Sequence, residues 1–119
     1  MYSTQVLDHF EHPRNPGLVN APNATAQVEN PVCGDVVKLT ARISRDRVVE
    51  IKFLAKGCVP AIACASAVAE FLEGKTLAEA AALKREELIK KLGGLPDAST
   101  HASHLAMDAL KTLLRNVPR

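Results

Sequence analysis

The sequence has 119 residues, a length that predicts a single domain over residues 1–119. Hydrophobic residues make up 47% of the chain and aromatic residues only 3%, so the core must consist mainly of small and aliphatic side chains. The formal charge of +2 is too small to favour nucleic acid or an anionic membrane surface as a partner. No apolar run approaches the ~20 residues of a membrane span.

The three cysteines are an odd number, which does not suit a disulfide framework. The N-terminus lacks the basic stretch and apolar block of a secretory signal. Both features favour the reducing cytoplasm as the localisation. Cysteines in that compartment are more often ligands or nucleophiles than disulfide partners.

The first predicted element is a short amphipathic helix over residues 3–12. Ser3 is a favourable N-cap, and Val6, Leu7 and Phe10 are expected on one face. Two prolines and a glycine in the segment "PRNPG" then end this helix.

Alternating apolar residues predict strands in the next part of the chain. The pattern is weak over residues 23–30 and strong over 36–43 and 48–57. Only "SRDR" separates the last two strands, so we expect a hairpin in an antiparallel sheet with one solvated face. The inward-facing residues are expected to be Val37, Leu39, Ala41, Ile43, Val49, Ile51, Phe53 and Ala55.

Helical periodicity replaces the alternation after Gly57. Helices are predicted over residues 58–74, 76–83, 85–94 and 101–117, the first of them buried because of its wide apolar stripe. A helix, then strands, then helices indicates an α+β fold, with a small antiparallel sheet of about three strands and helices packed on one face.

The candidate metal ligands lie near the ends of the predicted hairpin. Cys33 precedes its first strand and Cys58 follows its second, so the two thiols are expected to be neighbours, with Asp35 pointing the same way as Cys33. Cys58 also lies at a helix N-terminus, where the helix dipole is expected to lower the thiol pKa. His101 opens the last helix and could meet this site. Sulfur, oxygen and nitrogen donors together suit zinc or an iron–sulfur cluster.

Structural roles are the alternative for these residues. Two distant cysteines form no local motif, and a free cysteine is often a small buried hydrophobe. For Cys64, which lies among alanines, core packing is favoured over ligation. His104 lies one turn after His101, where it is either a second ligand or a solvated or capping histidine. His9 is expected to be a surface or turn-bonding histidine.

Four segments together resemble the IscU/NifU-type iron–sulfur cluster assembly scaffolds. They are "YSTQVLDHFEHPRNPG", "CGDVVKL", "GCVPAIACASAVAEFLEGK" and "HASHLAMDALK", and they occur in the family's order over nearly the whole chain. The resemblance implies a NifU/IscU-like fold. It implies a scaffold or carrier, not an enzyme, which binds iron, receives sulfur from a cysteine desulfurase and transfers a labile [2Fe–2S] cluster to apo acceptor proteins.

The resemblance also implies a ligand set. Cys33, Asp35, Cys58 and His101 match four of the family's site positions, whereas Ala102 stands at the third cysteine. The family's Leu-Pro-Pro-Val-Lys chaperone stretch is "LPDAS" here, which argues against an Hsp70-type partner.

Other arrangements and functions stay open. Zinc could replace the cluster on the four remaining donors, or a homodimer could bridge one cluster with two cysteines from each protomer. The alternative functions are a zinc-binding sulfur acceptor for a cysteine desulfurase, and a degenerate relative that acts only through protein contacts.

Overall fold

The structure is a computed structural model that describes residues 1–118. Its elements confirm the predicted α+β class, with a three-stranded antiparallel sheet. Within the described residues, no helix has both the length and the apolar character needed to cross a bilayer. In chain order the elements are α1 (Thr4–Glu11), β1 (Ala24–Glu29), β2 (Val36–Ser44), β3 (Arg47–Lys56), α2 (Val59–Leu72), α3 (Leu77–Ala81), α4 (Arg85–Lys91), a 3₁₀ turn (Asp97–Ser99) and α5 (Thr100–Arg115).

The sheet has β2 at its centre, paired antiparallel with β1 and β3. Leu39 lies opposite Phe53 on the buried face and is itself fully buried. The predicted hairpin loop contains Arg45 and Asp46, both with positive φ, of 54° and 61°. Positive φ at two successive positions matches the right-handed twist of the strands, so the hairpin closes tightly.

An irregularity in β3 changes which valine is buried. Arg42 pairs with Glu50 but Ile43 pairs with Val48, so Val49 is an extra residue in the strand. An extra residue reverses the alternation of side chains beyond it. Val48 is therefore fully buried and Val49 is 42% exposed, so the expectation that Val49 faces inward is wrong.

The helices cover one face of the sheet. α2 packs on β3, α5 packs on β1 and β2, and α1 packs on α2. The buried residues of α1 are Val6 and His9, whereas Leu7 and Phe10 are 40% and 37% exposed. Of the three apolar residues predicted on one face of α1, only Val6 is buried, because α2 meets α1 along the Val6–His9 side.

The pairing of β2 with β3 places three chain segments together. Val36 is opposite Lys56, so the loop before β2 and the turn after β3 are adjacent. α2 starts directly after that turn, with Cys58 as its N-cap. α5 contacts β1 and β2 and starts at Thr100, which brings its first turn to the same edge.

Candidate metal centre

The loop between β1 and β2 carries Cys33 and Asp35 and closes on itself through backbone hydrogen bonds. The Asn30 N–H donates to the Asp35 carbonyl at 2.8 Å, and the Gly34 N–H donates to the Asn30 carbonyl at 2.7 Å. Gly34 has φ +77°, which a glycine adopts without steric cost. The tight loop leaves the Cys33 thiol exposed and turns Asp35 inward, where it is 4% exposed.

Gly57 makes room for the Asp35 carboxylate. A Cβ at this position would lie 2.2 Å from Asp35 Oδ1 and 2.5 Å from its Cγ. The backbone of Gly57 also has φ +142°, a conformation that other residues rarely adopt. A side chain at position 57 would therefore push the carboxylate out of the centre.

The Cys58 thiol donates a hydrogen bond to Asp35 Oδ2 at 3.3 Å. Cys58 is the N-cap of α2, as its sequence position predicts. Its pKa is nevertheless raised, first by burial and also by the neighbouring Asp35 carboxylate, which outweigh the backbone N–H of Ala61. The expectation that the helix terminus lowers this pKa is therefore wrong for the free protein. A bound metal would replace this thiol proton.

The His101 ring is oriented by the 3₁₀ turn that precedes α5. Its Nδ1 lies 3.2 Å from the Ala98 carbonyl, which can only accept, so Nδ1 carries the proton of this hydrogen bond. Nε2 is then a free acceptor. It lies 4.0 Å from Cys58 Sγ and 3.8 Å from Asp35 Oδ2. A histidine whose second nitrogen is held by a carbonyl is the usual arrangement of a metal ligand.

The four predicted site residues lie at the same edge of the sheet, with Asp35 and His101 next to both cysteines. Ligand atoms of Cys33, Asp35 and His101 lie within 4.8 Å of one another. Cys58 contacts the same Asp35–His101 pair, so each thiol has the acid and the imidazole as neighbours. We call these four residues the metal centre. Two thiols, one imidazole and one carboxylate are a donor set that suits zinc or iron–sulfur chemistry, in which thiolates are the preferred ligands.

Cys64 lies outside the metal centre. It is fully buried in the apolar core, and burial raises its pKa to about 12. The preference for core packing at Cys64 is thereby confirmed. Ala102, at the expected place of the third cysteine, is also fully buried.

Two histidines outside the metal centre, His104 and His9, differ in exposure. His104 is exposed on α5. His9 is 8% exposed, and its Nδ1 is 2.8 Å from Ser66 Oγ. The expectation of a surface or turn-bonding role for His9 is therefore wrong, because α2 covers that side of α1.

Two residues that position the centre were not among the predicted site residues. Gly57 gives Asp35 its space, and the Ala98 carbonyl sets the His101 tautomer. A glycine directly between a strand and Cys58 was a visible signal for the first. Nothing in the sequence marks Ala98, because its role depends on a backbone atom.

The comparisons with known proteins agree with the fold and the resemblance. The NifU-like N terminal domain family matches residues 1–118. The iron-sulfur cluster assembly scaffold protein IscU 1 of Archaeoglobus fulgidus is 42% identical over 111 residues, covering 93% of this chain and 72% of that protein. The scaffold protein IscU of Azotobacter vinelandii is 39% identical over 119 residues, covering 97% and 92%.

A solved structure shares the fold. The N-terminal part of a nitrogen-fixing NifU-like protein from Brucella abortus superimposes with a TM-score of 0.80 at 20% identity, covering 97% of this chain and 92% of that one. The predicted resemblance and the NifU/IscU-like fold are confirmed. The chain belongs to the NifU-like N-terminal domain family.

Proposed function

We propose that this protein is a scaffold on which an iron–sulfur cluster is assembled and from which it is transferred. The observation that carries the proposal is the metal centre itself, in which two thiols flank one carboxylate and one imidazole at an accessible edge of the sheet. Relatives with 39–42% identity carry the name of cluster assembly scaffold. They are named as scaffolds, and none of the chemistry proposed here requires this chain to act as an enzyme.

The cargo we propose is a [2Fe–2S] cluster held by Cys33, Cys58, His101 and Asp35. Thiolates bind iron tightly, whereas an imidazole or a carboxylate holds a cluster iron less firmly. The mixed set therefore favours release, which a donor of clusters needs. The position of Cys33 on an exposed loop supports the same conclusion, because an acceptor protein can reach that side of the centre.

The sulfur is proposed to come from a cysteine desulfurase, and Cys33 is the thiol best placed to receive it. Cys33 is exposed, Cys58 is partly buried beside Asp35, and Cys64 is enclosed. In this step the Cys33 thiolate attacks the outer sulfur of the desulfurase persulfide. A new S–S bond forms on Cys33, the S–S bond of the donor breaks, and the donor's cysteine leaves as a thiolate.

The proposed setting is the reducing cytoplasm, where the three free thiols stay reduced. Apo iron–sulfur proteins are the proposed recipients of the cluster. The "LPDAS" segment before α5 differs from the family's chaperone stretch, so the proposal does not include an Hsp70-type chaperone.

Anaerobic reconstitution with ferrous iron, cysteine, a desulfurase and a dithiol reductant, which reduces the persulfide sulfur to sulfide and is itself oxidised to a disulfide, tests the proposal. We expect iron and sulfide to be incorporated in equal amounts, with visible charge-transfer absorption, and size-exclusion chromatography to show a monomer. A cluster found only on a dimer would favour bridging by two protomers.

The reconstitution has two outcomes that would overturn the proposal. Zinc that stays bound and blocks cluster formation would indicate the zinc-binding sulfur acceptor instead. Failure to bind either metal would leave a role in protein contacts alone. Cys64→Ser is the matched control, because it removes a thiol that lies outside the metal centre.

A further inference from the structure

The start of α1 is joined to the loop that leads from α4 to α5. Ser3, the N-cap of α1, accepts a hydrogen bond from the Val6 N–H at 3.0 Å, and its hydroxyl donates to the Leu92 carbonyl at the end of α4. One hydroxyl therefore has two tasks, because it caps α1 and holds a segment that is 89 residues away in the sequence. Residues 93–96 then connect Leu92 to the 3₁₀ turn.

Few other contacts hold the loop of residues 93–96. The Gln5 side chain lies against Gly93, where a Cβ would be 2.5 Å from Gln5 Oε1, and half-buried Leu95 packs against the core. A surface cavity of about 550 Å³ separates the rest of this loop from residues 1–3. Within residues 1–118, the hydrogen bonds of the loop run only to residues close to it in sequence. The position of the loop therefore depends strongly on the bond from Ser3 at its start.

The same loop ends at the turn that orients His101. The 3₁₀ turn Asp97–Ser99 follows the loop directly, and the Ala98 carbonyl in this turn accepts the hydrogen bond from His101 Nδ1. A displaced loop would move this carbonyl and free the imidazole to rotate. The His101 Nε2 would then lose its fixed direction towards the other ligands of the metal centre.

We propose that Ser3 is a positioning residue for the metal centre, and that its hydrogen bond to Leu92 is a latch that fixes the His101 ring. Displacement of the N-terminal residues opens the latch and weakens the imidazole ligand, while both thiols stay in place. An open latch therefore favours release of a bound metal or cluster. This effect on release rests on the proposed scaffold function, but the control of the His101 ring by Ser3 does not.

The variant Ser3→Asp separates the latch from the helix cap. Aspartate is as good an N-cap as serine, but its carboxylate has no proton to donate to the Leu92 carbonyl. Ser3→Thr keeps a hydroxyl that can perform both tasks, so it should behave like the natural protein. Thr76→Asp is the matched control, because it makes the same kind of change at the N-cap of α3, where the described residues show no hydrogen bond from the hydroxyl to another segment.

Measurements on the metal-free protein test the latch itself. In Ser3→Asp, the amides of residues 93–99 should exchange with solvent several-fold faster, because the loop opens more often. The ¹⁵N chemical shifts of the His101 ring at mildly alkaline pH should change from those of the Nδ1–H tautomer to those of a tautomer mixture. Ser3→Thr and Thr76→Asp should keep the Nδ1–H tautomer. An unchanged His101 tautomer in Ser3→Asp, with circular dichroism like that of the natural protein, would overturn the proposal.

Anaerobic titration with Co²⁺ measures the consequence for metal binding. Ser3→Asp should bind cobalt roughly three- to ten-fold more weakly, which is less than the loss expected on removing a direct hydrogen-bond partner of a ligand. The thiolate-to-cobalt absorption should remain, because both cysteines are unchanged. Equal affinities in Ser3→Asp and the natural protein would exclude the effect on metal binding. Absence of thiolate-bound cobalt in all variants and in the natural protein would instead overturn the metal centre, and the His101 tautomer would still decide the latch.

Discussion

Cys58 at the N-terminus of α2 and Cys64 inside the same helix show how position determines the role of a cysteine. Cys58 caps the helix, is partly buried and has Asp35 and His101 as polar neighbours. Cys64 lies less than two turns further on and is fully buried among apolar side chains. Burial raises the pKa of both thiols, but Cys58 has donors around it that can share a metal, whereas Cys64 has none.

His101 in the metal centre and His9 in the contact between α1 and α2 show the same contrast. His101 has its Nδ1 held by a carbonyl, and its Nε2 faces the thiol and the carboxylate. His9 is buried against α2, with its Nδ1 bonded to Ser66 Oγ. Ser66 Oγ also accepts a hydrogen bond from the Arg14 N–H, so this cluster is closed by the protein's own groups. We call the metal centre the open region, and we call Cys64, His9 and Ser66 the closed region. We expect the open region to bind metal and the closed region only to stabilise the fold.

The largest effect should come from removing the open region's thiol. Cys58→Ser should weaken zinc or cobalt binding by more than ~100-fold, because a hydroxyl is a poor replacement for a thiolate ligand. Cys64→Ser should leave metal binding unchanged and lower the free energy of unfolding by about 1–2 kcal/mol, since it buries a hydroxyl in an apolar core. Metal competition assays and urea unfolding measure the two effects. Loss of metal in Cys64→Ser would show that the assignment of Cys64 to the core is wrong.

Gly57→Ala should have the next largest effect, because it changes both the stability of the fold and the geometry of the metal centre. Its Cβ would collide with the Asp35 carboxylate, and its φ of +142° is strained for alanine. We expect a loss of about 2–4 kcal/mol in the free energy of unfolding, together with weaker metal binding. Gly74→Ala is the matched control: it also has positive φ, but no atom lies within 4 Å of its Cβ, so only about 1 kcal/mol should be lost and metal binding should not change. Equal effects in the two variants would contradict the proposed role of Gly57.

Ala102→Cys should have a smaller effect, on kinetics. A third thiol next to His101 would hold the cluster more tightly, and we expect release to an apo acceptor to slow several-fold. Stopped-flow transfer to an apo ferredoxin measures this rate. Ala102 is fully buried, so Ala102→Ser serves as the control for added volume without a thiolate. An unchanged release rate in Ala102→Cys would contradict the proposed ligand geometry.

The smallest effect should come from the closed region, in the pH dependence of stability. Burial lowers the pKa of His9 in the folded protein, with Arg14 acting in the same direction and Glu70 against it. The unfolded chain therefore binds more protons near and below pH 6.5, the ordinary value, so stability present above pH 6.5 is lost as the pH falls through it. His9→Gln should reduce this slope in urea unfolding between about pH 7 and 5.5. Metal binding at neutral pH should stay the same, and an unaltered slope would rule out the assignment to His9.

Much of the fold could be predicted, because strands and helices leave patterns among residues that are close together in the sequence. Alternation gave β2 and β3, and helical periodicity gave α2 and α5. The register of β3 did not follow, because the extra residue Val49 leaves no signature in a run of apolar side chains. The buried face of α1 did not follow either, since it depends on where α2 packs.

The metal centre was also predictable only in part. The hairpin geometry predicted Cys33, Asp35 and Cys58 near one another, and the start of the last helix predicted His101 beside them; the structure has Cys33, Asp35 and His101 within 4.8 Å and Cys58 next to Asp35 and His101. The direction of the Cys58 pKa was wrong, because the sequence shows a helix terminus but not the burial of the thiol or the carboxylate 3.3 Å away.

X-ray absorption of the zinc-loaded protein at the zinc edge tests most directly whether the four residues act as one ligand set. We predict two sulfur scatterers near ~2.3 Å and two nitrogen or oxygen scatterers near ~2.0–2.2 Å in a monomer. In Cys33→Ser and in Cys58→Ser, one sulfur scatterer should remain, and in Cys64→Ser both should. A zinc shell without sulfur, or one that keeps two sulfurs when Cys58 is replaced, would contradict this metal centre.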